Sequence, residues 1–266
     1  MKSRRNFDYE ERDGVATVTF SRPDRLNSLT FEVYADIRDL TRELQSRAGE
    51  VRVLVIRGQG RGFCSGGDVD EIIGELLKRD TRAVYEFAQM TGACVRNIRE
   101  MPQPVIAAVN GIAAGAGAVL AAASDIRVLA ESASFRFLFT SVGLSGGDMG
   151  ICWLLPRIVG FGRASEALLL GGKITSGQAL DWGLASRVVA DGKLDAAVAE
   201  YVDKLKELAP WGLAMTKEML NRGASSDYSS AIEMEAFTQS LLMTAEDFKE
   251  FHAGFTGKRK PEFRGR

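Results

Sequence analysis

The chain has 266 residues, enough for one large domain with a substantial core, or for a domain with a small appendage. Its 34 Lys and Arg against 35 Asp and Glu leave a net charge of −1, so no global field draws it to nucleic acid or to an anionic membrane. Cys64, Cys94 and Cys152 are scattered without CxxC spacing, which fits a reducing cytosol and predicts a cytoplasmic protein, and a single histidine, His252, offers no metal site.

In chain order, the opening MKSRRNFDYEERDG starts basic, turns acidic at once and contains no apolar stretch of signal-peptide length. VATVTFS (15–21) alternates with period two and then meets the turn chemistry of RPDRLNSLT, where Ser28 or Thr30 caps a helix through FEVYADIRDLTRELQSRA. VRVLVIRG (51–58), PVIAAVNG (104–111) and DIRVLAES (125–132) are apolar, β-branched runs separated by helical pattern, and ASRVVA adds one more short strand. Strands alternating with helices imply parallel pairing through crossover helices, hence an α/β fold. The run VIAAVNGIAAGAGAVLAAA is nearly long enough to span a membrane. Asn110 and its glycines interrupt it, and Pro104 and Asp125 bound it, so a buried core is expected. After ASRVVA the pattern is helical to the end, with Pro210 and Gly223 as breakers, which divides the chain into a core of residues 1–200 and a helical region of residues 201–266.

Two glycine-rich turns each follow an apolar strand and open a helix: GRGFCSGGDVDEIIGELL, with Gly66 and Gly67, and VNGIAAGAGAVLAAA, with Gly115, Ala116 and Gly117. Small residues there permit close approach to the backbone, and free N–H groups at a helix start suit a phosphate or a developing oxyanion. Neither turn fits a Walker loop or a GxGxxG fingerprint, and a plain strand-to-helix connection accounts for either one alone.

The sequence resembles the crotonases, the enoyl-CoA hydratase/isomerase family. The motifs that carry the resemblance run in order along nearly the whole chain: VTFSRPDRLNSL, GFCSGGDV, PVIAAVNGIAAGAG, LLPRIVG, ITSGQALDWGLASRVV and FTGKRKPEF. The resemblance implies a crotonase-like spiral of ββα turns with a helical C-terminal trimerisation region, assembled as a homotrimer or a dimer of trimers. It implies an acyl-CoA substrate whose thioester carbonyl takes two backbone N–H bonds, here from Gly67 and Ala116. No permanently bound cofactor is implied, since coenzyme A enters as part of the substrate. By the same resemblance Arg25 and Leu26 of the first turn, and Lys258, Lys260 and Phe263 of the tail, hold the nucleotide end. Cys64, Ser65, Gly66, Asp68, Gly115, Val119, Phe139 and Gly147 lie around the rest of the ligand.

The family's hydratases carry two glutamates, one just after the second glycine turn and one about twenty residues later; here those positions are Val119 and Phe139. Addition of water asks for both carboxylates, one to orient the nucleophile and one to handle a proton. The remaining carboxylate is Asp148, in GLSGGDMG, at the place where related isomerases carry an aspartate base. Asp148 reads equally as the N-cap of a helix beginning at residue 149, with Trp153 and Leu154 buried behind it. Cys64 and Cys152 read as buried structural thiols, Asp68 and Asp125 as structural carboxylates, and the phenylalanines of SFRFLF as core or as the wall of a wide acyl pocket. Three activities stay open: an isomerase acting through Asp148, a hydratase, lyase or hydrolase of the same family, and a non-catalytic acyl-CoA binder.

Overall fold

The computed structural model describes residues 6–266; the basic opening, residues 1–5, lies outside them. Among the described residues ten strands form two sheets: β1 Asp8–Arg12, β2 Val15–Phe20, β3 Val53–Gly58, β4 Gly62–Cys64, β5 Val105–Val109, β6 Ile112–Ala114, β7 Ile126–Ala130, β8 Ser134–Arg136, β9 Lys173–Thr175 and β10 Arg187–Val189. The larger sheet has the order β1-β2-β3-β5-β7-β10 and is parallel except for the β1 hairpin with β2; the smaller is β4-β6-β8-β9, antiparallel only at β8-β9. Along the chain β3 and β4, β5 and β6, and β7 and β8 alternate between the sheets, so each turn of the spiral adds one strand to each.

The α-helices are α1 Phe31–Gln45, α2 Gly74–Leu76, α3 Thr81–Glu100, α4 Ala116–Ala123, α5 Ile151–Val159, α6 Phe161–Leu170, α7 Ser176–Asp181, α8 Leu194–Glu207, α9 Pro210–Gly223, α10 Tyr228–Leu242 and α11 Glu246–Thr256. Thr30, rather than Ser28, caps α1 by accepting the Val33 N–H at 3.4 Å. The core face of α1, with Val33, Tyr34, Ile37, Leu40 and Leu44, follows the helical period and packs on α3. The near-membrane-length run is β5, β6 and α4, and every residue of β5 and α4 is buried. No helix among the described residues is long and apolar enough to cross a membrane.

The boundary at residue 200 falls inside α8, which packs on β3, β5 and β7; Pro210 then opens α9 and Gly223 closes it. Lys217 of α9 is buried, and its ammonium donates to the Ile98 and Gln103 carbonyls at 2.8 and 2.9 Å and pairs with Asp125 at 2.7 Å. Asp125 also accepts the Val105 N–H at the start of β5, at 2.8 Å. Breaking one partner of such a buried pair costs on the order of 3 to 5 kcal/mol, so this cluster ties the helical region to the sheet.

Candidate active site

The first glycine turn is held by a backbone zipper to the RPDRLNSLT turn. Ser65 N donates to Leu26 O at 2.9 Å, Leu29 N to Gly66 O at 2.8 Å, and Asp68 N to Leu29 O at 2.9 Å. Leu26 and Asn27 both take left-handed backbone, with φ of 50° and 57°. The buried Asn27 amide locks that bend by donating to Gln59 O and Gly62 O at 2.9 and 2.8 Å. Asp68 caps the helical turn Val69–Ile73 through the Asp70 and Glu71 N–H groups and accepts from the Ser28 hydroxyl at 2.8 Å. Burial alone would raise its pKa; the bonds from Ser28, Glu71 and Asp70 and the charge of Arg22 bring it below the ordinary value. Asp68 is therefore a built-in strut.

The two glycine turns touch. Gly66 has φ +96°, and a Cβ placed on it would stand 3.0 Å from Ala114 O and 3.4 Å from Ala116 N. A Cβ on Gly117 would stand 2.2 Å from Cys64 O, so only glycine lets the start of α4 seat against the end of β4. Ala116 is the first residue of α4, after Gly115 at φ 50°. Gly115 N is taken by Arg136 O at 2.9 Å, whereas the N–H groups of Gly67 and Ala116 have no acceptor among the described residues. Two unpaired donors thus lie on adjoining turns, one at a helix N-terminus. Cys64 is fully buried between them, and burial pushes its thiol up to about 12, which makes it a packing residue and not a nucleophile.

Asp148 does not cap α5. The helix starts at Ile151 with Gly150 as N-cap and no side-chain cap, and only the Asp148 carbonyl accepts the Ile151 N–H, at 3.0 Å. The cap reading fails because Met149 and Gly150 both turn left-handed, at φ 52° and 87°, and this swings residue 148 off the helix start. Left-handed backbone at a non-glycine residue costs about 1 to 2 kcal/mol, strain that the buried Met149 side chain helps to hold. The loop ahead is pinned as well: a Cβ on Gly146 would stand 2.6 Å from Leu168 O, and one on Gly147 2.8 Å from Cys152 Sγ. Cys152 and Trp153, expected inside, are exposed; Trp153 lines the same groove as Asp148, with the Arg157 guanidinium 4.0 Å from its ring centroid.

Asp148 is half-buried, on a groove of about 700 Å³ between α3 and the loop into α5, beside Gln89, Gly92, Arg96, Gly147 and Met149. Burial raises its carboxyl above the ordinary value, and the Met149 N–H offsets part of the rise. Val119 and Phe139 are buried and apolar, as are Phe135 and Phe137, stacked 6.5 Å apart. Gly67 and Ala116 do not line the groove. The link between the two places is Tyr34, whose hydroxyl lies 3.7 Å from where a Gly67 Cβ would be. Burial raises its phenol well above the usual value, and the charges of Cys64 and Asp148 add to the rise.

Of the nucleotide-end candidates, Arg25 is exposed and pairs with Asp70 at 3.3 Å, while Leu26 and Ser65 meet in the zipper. Lys258 is exposed, Lys260 pairs with Glu207, and Phe263 is half-buried. The tail is pinned by Asp247, which accepts the Arg264 and Gly265 N–H groups at 2.7 and 2.8 Å, so within one chain it is not joined to the glycine turns.

The raised Asp148 pKa has a thermodynamic consequence. A carboxyl whose folded-state pKa exceeds its unfolded value favours folding while protonated, and that contribution is lost as pH rises through the folded value. Asp148→Asn is therefore expected to melt higher than the parent near neutrality, with the gap closing as pH falls toward the ordinary carboxyl value of 3.8. Thermal melts across that range check it; a lower melting temperature for the variant at neutral pH would contradict it.

Comparison with known proteins agrees with this architecture. The family model described as enoyl-CoA hydratase/isomerase matches residues 10–266. The 1,2-epoxyphenylacetyl-CoA isomerase of Escherichia coli K12 is 34% identical over 253 residues, covering 95% of this chain and 96% of that protein. The short-chain-enoyl-CoA hydratase of Clostridium acetobutylicum is 30% identical, covering 95% of each. A solved structure from Streptomyces coelicolor A3(2), assigned as an enoyl-CoA hydratase, superposes with a TM-score of 0.97 at 52% identity over 100% of this chain and 96% of that one. With the family model matched from residue 10 to the last residue, and the ββα spiral shared with solved members, the chain belongs to the enoyl-CoA hydratase/isomerase family.

Proposed function

We propose that this enzyme shifts a double bond in an unsaturated acyl-CoA, with Asp148 as the single proton carrier and the N–H groups of Gly67 and Ala116 as the oxyanion hole. The supporting observation is the pairing of one partly buried carboxylate with apolar Val119 and Phe139 at the two hydratase positions. The Asp148 carboxylate takes a proton from Cα, and the C–H electron pair moves into the thioester, whose oxygen becomes anionic and accepts from the two N–H groups. The enolate then collapses, the carbonyl re-forms, the double bond moves to Cα and Cβ, and Cγ takes the proton back from the Asp148 carboxyl. A raised pKa suits a group that must gain and lose a proton near neutrality. The E. coli relative is named for an isomerisation of an acyl-CoA.

The second reading is hydration, with Asp148 and a water, for which the Clostridium relative's name speaks. Two substrates separate the readings: conversion of vinylacetyl-CoA to crotonyl-CoA supports the first, hydration of crotonyl-CoA to β-hydroxybutyryl-CoA the second, and binding of both with neither conversion a non-catalytic binder.

Assembly as a trimer or a dimer of trimers belongs to the same proposal. The faces of α10 and α11 carry Phe237, Leu241, Phe248, Phe251 and Phe255, exposed by 49% to 76% in the single chain, and α9 leaves Leu220 68% exposed. So large an apolar surface calls for a covering partner. Sedimentation velocity is expected to give three or six times the chain mass, and a monomer that still binds acyl-CoA would count against the assembly.

A further inference from the structure

The Tyr34 hydroxyl stands out because its environment does not require it. Tyr34 is 3% exposed, on the apolar face of α1, and its ring packs edge-on against Phe87 with centroids 5.6 Å apart. Phenylalanine would fill that space as well. The hydroxyl has no hydrogen-bond partner among the described residues and is not fully enclosed, so its oxygen keeps an opening. The opening lies beside the first glycine turn, where Ile72 Cγ2 and the Tyr34 oxygen are each 3.7 Å from the position of a Gly67 Cβ. A buried hydroxyl without a partner costs free energy that a ligand oxygen recovers.

We propose that Tyr34 is a specificity-determining residue that donates a hydrogen bond to an oxygen carried by the acyl group on the carbons next to the thioester. This rests on the acyl-CoA reading and names a class of acyl group, those oxygenated at Cα or Cβ. The position beside Gly67 is what restricts the oxygen to those carbons, because the thioester carbonyl is anchored there. The phenol is held in its protonated form by its surroundings, which makes it a donor. A site that offers a hydrogen bond discriminates against the analogue lacking its partner more strongly than a hydrophobic pocket can, since binding that analogue leaves the polar group unpaired.

Calorimetric titration with butyryl-CoA, α-hydroxybutyryl-CoA and β-hydroxybutyryl-CoA tests it. The parent is expected to bind at least one hydroxylated probe about tenfold or more tightly than butyryl-CoA, and Tyr34→Phe is expected to bring that ratio close to one. Equal affinities in the parent, which need no variant to observe, would overturn the proposal, as would a ratio unchanged in Tyr34→Phe. A uniform loss across all three probes would overturn it too, by making Tyr34 a support for the thioester site. Failure of the parent to bind any of the three would instead sink the acyl-CoA reading, and Tyr34's role with it.

Discussion

Asp148→Asn will lower double-bond migration by roughly 10²- to 10⁴-fold, the usual range for loss of a general base. The substitution keeps the side chain's size and removes only its ability to take a proton. Because the side chain makes no cap hydrogen bond to α5, nothing in the helix depends on the carboxylate. The left-handed pair Met149 and Gly150 is set by backbone and by the burial of Met149, both of which the variant retains. The variant should therefore fold with no loss of stability, melting above the parent near neutrality, and should assemble and bind acyl-CoA much as the parent does, so the loss falls on turnover rather than on KM. Steady-state kinetics with vinylacetyl-CoA give the number. A variant that turns over at the parent's rate would strip Asp148 of its role.

Gly67→Pro is expected to be at least as damaging. Proline deletes the N–H that would meet the enolate oxygen, and loss of one such donor costs on the order of 3 kcal/mol, a hundredfold or more in rate. Gly67→Ala is the companion that separates the donor from the shape of the turn. An added Cβ would meet Ile72 and the Tyr34 hydroxyl at 3.7 Å, ordinary contact distance, and the N–H remains. The alanine variant should retain most of the activity that the proline variant loses, with melting curves to show that both are folded. A folded proline variant at full rate would move the oxyanion site elsewhere.

Four strands of the larger sheet's parallel run, β2, β3, β5 and β7, were legible because each is an apolar run of five or six residues, long enough for period and composition to speak, and the three-residue β10 showed through its paired valines. The smaller sheet was not legible. β4, β6, β8 and β9 are three residues each, below the length at which alternation means anything, and β6 and the start of α4 share one unbroken small-residue stretch. β1 escaped for another reason: DYEER is charged, and its strand state comes from pairing with β2.

At the candidate site, the glycine turns could be read from residue type, since the approach of Gly66 to Ala116 and of Gly117 to Cys64 leaves no room for a side chain. The environment of Asp148 could not. Whether DMG caps a helix or turns away from it depends on backbone angles at Met149 that tertiary packing decides, and the same departure leaves Cys152 and Trp153 outside. Asn27, Tyr34 and Lys217 were also missed. Tyr34 reads as one more member of an apolar helix face, Lys217 as one more surface lysine, and Asn27 as ordinary turn chemistry. What sets each apart is its set of neighbours across the fold.

The central claim is that one carboxylate, acting beside two backbone donors, moves a proton without activating water. Proton and deuterium NMR of vinylacetyl-CoA, followed in deuterated water with the parent and with Asp148→Asn, tests it most directly. The account predicts conversion to crotonyl-CoA by the parent with no β-hydroxybutyryl-CoA, and loss of that conversion in Asp148→Asn. Accumulation of the hydrated product, or conversion at equal rates by the two proteins, would contradict it.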